Sequence, residues 1–215
     1  MLFTCQAILF DLDGVLVDST QAVERVWRKW AREHNLDAEV VLAHAHGRRT
    51  IETVRIVAPQ LDAEKENLKI ENMEINDKEG IVAVPGAAEL LRSLPPDRFI
   101  IATSATRALA AARLRYAGLP VPERIVTADD VAKGKPSPEP YLRAAALLGF
   151  APANCLVFED TPAGIESGKA AGMRVIAMET TYPAKELASA GAVLSSLENI
   201  RADFDGGSIR IELMP

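Results

Sequence analysis

Four times along this chain a short apolar run breaks off into polar residues that open toward a helix. Gln6-Ala7-Ile8-Leu9-Phe10 runs into Asp11-Leu12-Asp13-Gly14, and Arg98-Phe99-Ile100-Ile101-Ala102 runs into Thr103-Ser104. Arg124-Ile125-Val126-Thr127 leads through Ala128-Asp129-Asp130 to Lys135, and Cys155-Leu156-Val157-Phe158 runs into Glu159-Asp160. Apolar runs this short, bounded by turn signals, fit strands buried on both faces. Helical periods lie between them. Ala87, Leu90, Leu91 and Leu94 follow an i, i+3, i+4, i+7 spacing, as do Tyr141, Ala144, Ala145 and Leu148. Ser137-Pro138 and Thr161-Pro162 read as an N-cap followed by proline at the first helical position. Strands that alternate with helices are joined by right-handed crossovers, so the expected fold is α/β with a doubly wound, Rossmann-like parallel sheet.

One stretch breaks the alternation. From Asp18 to about Val82 the pattern holds helical periods and no convincing strand. Val23, Val26, Trp27, Trp30 and Ala31 make one helix face, with a start marked at Asp18 and Gln21. Residues 63–77 are charged and helix-prone. The expected organisation is a core of residues 1–17 and 83–215 with a helical insert of residues 18–82. Asp203 to Leu213 should close the chain as a β-hairpin turning at Gly206-Gly207.

The 215 residues are 48% hydrophobic and 25% charged, enough to build a core without disulfides or a structural metal. Cys5 and Cys155 lack metal-type spacing and are expected to be reduced, buried thiols. A net charge of −6 argues against a general nucleic-acid binder. No apolar run approaches the ~18 residues of a membrane span, and no signal-peptide pattern precedes the first strand. A soluble, cytoplasmic protein is expected, most simply a monomer.

Ligands of an open parallel sheet sit outside the carboxyl ends of its strands. Here those ends deliver Asp11 and Asp13, then Thr103 and Ser104, then Lys135, then Glu159 and Asp160. Each is ordinary alone. An Asp-x-Asp caps turns, a hydroxyl caps helices, and a lysine is usually solvated. Their convergence on one edge suggests metal-assisted handling of phosphate. Asp11, Asp160 and a carbonyl near Asp13 are hard oxygen ligands suited to Mg²⁺. Thr103, Ser104 and nearby amides can hold phosphate oxygens at a helix N-terminus, beside the point charge of Lys135. One carboxylate then remains for covalent work and another for proton transfer.

Asp11-Leu12-Asp13-Gly14-Val15-Leu16-Val17-Asp18-Ser19, Ala102-Thr103-Ser104, Gly134-Lys135-Pro136-Ser137-Pro138 and Glu159-Asp160-Thr161-Pro162-Ala163-Gly164 resemble, in order, the four signature motifs of the haloacid dehalogenase superfamily. The resemblance covers residues 6 to about 178, and the helical insert is similar to that family's C1-type cap. It implies Asp11 as the nucleophile that becomes an aspartyl-phosphate and Asp13 as general acid, then base. It also implies Thr103 and Lys135 as phosphate ligands, Asp160 as the further Mg²⁺ ligand beside Asp11 and the Asp13 carbonyl, and Glu159 behind them. The second aspartate, Asp13, is what phosphotransferase members use and dehalogenases lack, so dehalogenation is not expected.

His46-Gly47-Arg48-Arg49-Thr50 in the insert resembles the cap loop of sugar- and polyol-phosphate phosphatases of the β-phosphoglucomutase-like subgroup. It makes His46, Arg48 and Arg49 candidate specificity residues for a small phosphorylated sugar or polyol. A plain helix start with solvated arginines remains the alternative for this loop. His44 and His46 are two apart and do not share a helix face, which argues against a histidine metal site. Two other functions stay open: a phosphosugar mutase with the same Asp11 and Asp13 chemistry, and a non-catalytic receiver-like module. Receivers are usually shorter and lack an insert after the first strand.

Overall fold

In the computed structural model, which describes residues 1–214, every one of the four apolar runs is a strand of one parallel sheet. The chain opens with β1 (Leu2–Cys5) and the wholly buried β2 (Ala7–Phe10), then β3 (Val17–Asp18). Four helices follow: α1 (Thr20–Glu33), α2 (Ala38–Ala45), α3 (Thr50–Val57) and α4 (Ala63–Asn76). After β4 (Val82–Ala83) come α5 (Ala87–Ser93), β5 (Phe99–Ala102), α6 (Arg107–Tyr116), β6 (Ile125–Val126) and α7 (Glu139–Leu148). The remainder is β7 (Cys155–Glu159), α8 (Pro162–Ala170), β8 (Arg174–Met178), α9 (Ala184–Leu187), β9 (Ala192–Leu194), β10 (Ile200–Phe204) and β11 (Ile209–Leu213).

The parallel sheet has the order β6-β5-β2-β7-β8-β9. From β2 the chain builds outward through β5 and β6, then crosses back to lay β7 on the other side of β2. The crevice at this reversal lies outside the ends of β2 and β7, the place an α/β sheet offers a ligand. Side chains of the central strands alternate between the two faces with period two. Ile8, Phe10, Leu156 and Phe158 pack with Leu90, Leu91 and Leu109 on one face. Ala7, Leu9 and Val157 pack with Tyr141, Ala144 and Ile165 on the other.

The expected C-terminal hairpin is β10–β11, with its turn held by Asp205 Oδ1 accepting from the amides of Gly207 and Ser208. Beyond it, β1 pairs antiparallel with β11, and Phe3, Ile209 and Ile211 close one end of the core. Strands β1, β8 and β9 lie outside the four repeated patterns, although Arg174–Met178 is an apolar run of the same kind. Residues 18–82 carry no strand pattern in the sequence, yet Asp18 and Val17 pair with Val82 and Ala83 across β3 and β4. Two-residue strands carry no readable period. Helix α7 begins one residue later than expected, with Pro138 at its cap and Ser137 Oγ accepting from the Glu139 amide.

Helices α1–α4 share a core of their own. The predicted face of α1 buries Val23, Val26, Trp27, Trp30 and Ala31 against Val41, Leu42, Val54 and Ile70. Trp27 and Trp30 meet edge to face at 5.5 Å, and Trp30 Nε1 donates to Glu66 at 2.8 Å. Both cysteines are buried and unbridged. Among the described residues no helix is long and apolar enough to cross a membrane.

Candidate active site

Asp11 leaves the end of β2 with its amide donating to the Phe158 carbonyl at 2.9 Å, which ties it to β7. The chain then turns sharply: the Leu12 carbonyl accepts from the amides of Leu16 and Val17, both at 2.9 Å. Gly14 makes this turn possible. It holds φ +76°, and a Cβ there would lie 2.0 Å from Asp160 Oδ2, so any side chain would displace the Asp160 carboxylate.

Lys135 reaches the crevice from the loop before α7 and is wholly buried. Its Nζ lies 2.8 Å from Asp11 Oδ1, 2.5 Å from Glu159 Oε1 and 5.0 Å from the centre of the Tyr141 ring. Glu159 is saturated. Its Oε1 also accepts from the Tyr141 hydroxyl at 2.8 Å, while Oε2 accepts from the amides of Asp160 and Thr161 and the Thr161 hydroxyl. Burial pushes the Glu159 carboxyl up, but Lys135 and these donors outweigh it and hold the group below the usual range.

Asp11 and Asp160 are less well served. Burial pushes the Asp11 carboxyl up to about 7 despite Lys135, with Glu159 adding to the rise. Burial, then Glu159 and Asp11, raise Asp160 well above the carboxylate range. Oδ1 of Asp160 is buried without a donor, and Oδ1 of Asp11 has only the 2.8 Å ion-pair contact with Lys135, which it shares with Glu159. Oxygens of Asp11, Glu159 and Asp160 lie within 4.8 Å of one another. The donor set, hard and oversupplied with negative charge, fits a divalent cation such as Mg²⁺. Glu159 spends both oxygens on protein donors, which sets it apart as the support of Asp11 and Asp160.

Two features escaped the sequence reading. The loop after β8 brings Thr181, whose Oγ1 donates to Asp160 Oδ2, and Thr180, whose Oγ1 donates to the Gly14 carbonyl at 2.5 Å. The run into Glu179-Thr180-Thr181 has the same strand-to-polar pattern as the other four and could have been found. Asp13 accepts from Ser19 Oγ at 2.7 Å and from Arg113 Nη1 at 2.6 Å. Arg113 sits mid-helix in α6, and nothing in its local sequence sets it apart.

Thr103 and Ser104 close the crevice on the β5 side. The Thr103 amide donates to the Val126 carbonyl at 2.9 Å, and its buried Oγ1 accepts from the Ala105 amide at 3.1 Å. Ser104 Oγ donates across to the Gly47 carbonyl of the insert at 3.0 Å. The loop between α2 and α3 thus rests directly on the core. Gly47 has φ +74°, and a Cβ there would lie 2.6 Å from Thr161 Oγ1. The result is a cavity of about 60 Å³ walled by Asp11, Asp13, Thr103 and Asp160 below and by Trp27, His46 and Arg48 above. Burial pushes the His46 imidazole below its ordinary range, and its ring meets Tyr182 edge on at 6.5 Å.

The two insert arginines part company here. Arg48 lines the cavity, whereas Arg49 pairs with Glu52 and donates to the carbonyls of Val131 and Ala132 at 3.2 and 3.0 Å. Glu52 in turn accepts from the Gly134 amide at 3.3 Å, beside Lys135. Arg49 therefore holds the insert to the core.

The sequence pattern of the family described as haloacid dehalogenase-like hydrolase matches residues 5–172. Hexitol phosphatase A of Escherichia coli (strain K12) is 47% identical, over 91% of this chain and 93% of its own. Glycerol-1-phosphate phosphohydrolase 2 of Saccharomyces cerevisiae is 36% identical, over 91% and 84%. A hydrolase from Pseudomonas syringae superimposes with a TM-score of 0.82 at 26% identity, covering 90% of this chain and 94% of that one.

Proposed function

Because the chain belongs to the haloacid dehalogenase-like hydrolases, we propose that it is a Mg²⁺-dependent phosphatase of small sugar or polyol phosphate monoesters, working through an aspartyl-phosphate on Asp11. One observation carries the reading: at the sheet reversal, the carboxylates of Asp11, Glu159 and Asp160 are buried within 4.8 Å of one another around the single buried cation of Lys135, with Asp160 Oδ1 left without a donor. The names of the hexitol and glycerol phosphate relatives support the substrate class.

In this reading an Asp11 oxygen attacks phosphorus as the bond to the leaving oxygen breaks, and Asp13 gives that oxygen its proton. Asp13 then takes a proton from water, whose oxygen attacks the phosphorus and frees Asp11 and inorganic phosphate. Lys135 holds negative charge on the phosphoryl oxygens next to Asp11, while Thr103 and Ser104 line the same side. Asp11, Asp160 and the Asp13 carbonyl would hold Mg²⁺, which when bound supplies the charge that lets an anionic nucleophile meet an anionic phosphate. Residues 18–82 act as a cap that excludes water, hinging near Val17-Asp18 and near Val84-Pro85-Gly86. The enzyme works as a cytoplasmic monomer on free small molecules, with neither nucleic acid nor membrane as partner.

A mutase would have to keep and turn a bisphosphate, whereas the relatives at 47% and 36% identity are named as a phosphatase and a phosphohydrolase. Phosphate release measured against isomer formation on a panel of sugar and polyol phosphates separates the two. EDTA should abolish release reversibly, Mg²⁺ should restore it, and Ca²⁺, with its longer and more numerous bonds, should inhibit. Full activity in metal-free buffer would remove Asp160 from its role.

The arginines should separate kinetically. Arg48→Ala should lower kcat/KM for a polyol phosphate roughly tenfold or more while sparing p-nitrophenyl phosphate, since a charge-assisted contact contributes about 1.5–3 kcal/mol. Arg49→Ala, which loosens the cap, should depress both substrates alike. Equal losses from Arg48→Ala would assign it to phosphate binding or cap stability.

A further inference from the structure

Helices α4 and α6 meet along a seam that joins the insert to the core. Thr106 Oγ1 donates to Glu71 at 2.9 Å, and the Tyr116 hydroxyl donates to the Ile75 carbonyl at 2.9 Å. Between these two contacts lies Arg113, of which only 6% is exposed. Its fork is split: Nη1 donates to Asp13 Oδ2 at 2.6 Å, and Nη2 donates to Glu74 Oε2 at 3.1 Å. Glu74 is equally buried, at 5% exposure, and belongs to α4. Asp13 is thus gripped at both oxygens, by Arg113 on one and Ser19 on the other. Arg113 and Glu74 both line the cavity.

We propose that Arg113 is a positioning residue that couples seating of the helical insert to the orientation of the Asp13 carboxyl. The inference rests on the reading of Asp13 as acid and base. A planar guanidinium fixes two partners in one plane, so the position of Glu74 determines where the other arm can hold Asp13. With the insert lifted, Glu74 leaves with α4, Arg113 loses one anchor, and Asp13 is freed from its set direction. The acid–base group is then aligned only when the cavity is covered, which limits proton transfer to a closed site. A lysine would supply one charge but could not span both carboxylates in fixed directions.

The test uses p-nitrophenyl phosphate, whose leaving group departs with little help from an acid, beside a polyol phosphate whose alkoxide needs one. Arg113→Met should lower kcat on the polyol phosphate by about tenfold to a hundredfold with little change in KM, within the range of general acid–base effects. On p-nitrophenyl phosphate it should leave a rapid burst of one nitrophenolate per active site, followed by slow steady-state release, because phosphorylation of Asp11 is spared and hydrolysis is not. In an Asp13→Asn background, Arg113→Met should have no further effect. Glu74→Gln, which keeps shape and weakens the anchor, should give a milder form of the same pattern and serves if Arg113→Met does not fold.

Equal fractional losses with and without Asp13 would overturn the inference, as would a rise in KM at constant kcat or a burst that shrinks along with turnover. If Asp13→Asn alone left polyol phosphate turnover intact, the acid–base reading itself would fail, which is a separate result.

Discussion

Asp11→Asn should abolish turnover and, in metal-free buffer at pH 8, raise the melting temperature. Both effects come from one carboxylate. On the proposed mechanism no phosphoenzyme forms without it, and the loss should reach several orders of magnitude; a variant keeping more than about 1% of the rate, after controls for deamidation, would remove Asp11 as nucleophile. The gain in stability follows from the charge around it. Asp11, Glu159 and Asp160 are buried together with Lys135 within 2.8 Å of two of them. The Asp11 carboxyl is pushed from its ordinary 3.8 up to about 7, chiefly by burial. Folding therefore favours its protonated form, so its contribution to stability is present below pH ~4 and lost as the pH climbs through about 7. Asparagine removes that loss. Each kcal/mol regained should read as about 2–4 °C in a chain of this size, and the advantage should vanish near pH 4. A lower melting temperature at pH 8 would show that the pairing of Asp11 with Lys135 outweighs its burial.

Lys135→Met should do the reverse and cost the fold about 3–5 kcal/mol, the loss expected when one partner of a buried ion pair is removed. Three buried carboxylates would then share no cation. Glu159 matters most, since it also orders the amides of Asp160 and Thr161 at the start of α8. A fall of about 6–20 °C in melting temperature should accompany loss of activity. Adding Asp11→Asn to Lys135→Met should recover part of the stability and none of the turnover, a non-additive result that reports their contact. A Lys135→Met protein within about 1 kcal/mol of the parent would show that the buried charges are balanced elsewhere.

The local signals were good guides where a pattern repeats within a few residues. Ile8, Phe10, Leu156 and Phe158 announced their strands because alternation is a short-range property, and the face of α1 was readable from Val23 to Ala31 for the same reason. The seven residues at the strand ends were legible too, because a parallel sheet brings all of its carboxyl ends to one edge. Strand β8 was missed although its pattern was present, and Thr181 was missed with it. The two-residue β3 and β4 exist through pairing with each other across the insert, which no local window contains.

Spacing along the chain was enough to read four strands of the parallel sheet, the helical stretch of residues 18–82 and the strand-end residues Asp11, Asp13, Lys135 and Asp160. Which neighbour each charge faces is set by the packing of segments far apart in the chain. Arg48 and Arg49 are adjacent and alike in sequence, yet one lines the cavity and the other is turned to Glu52 and the Val131 carbonyl. Arg113 lies 100 residues from Asp13 and 39 from Glu74. An ion pair needs its atoms within about 4 Å, and at such separations that distance is set by how helices pack, not by the order of residues along the chain.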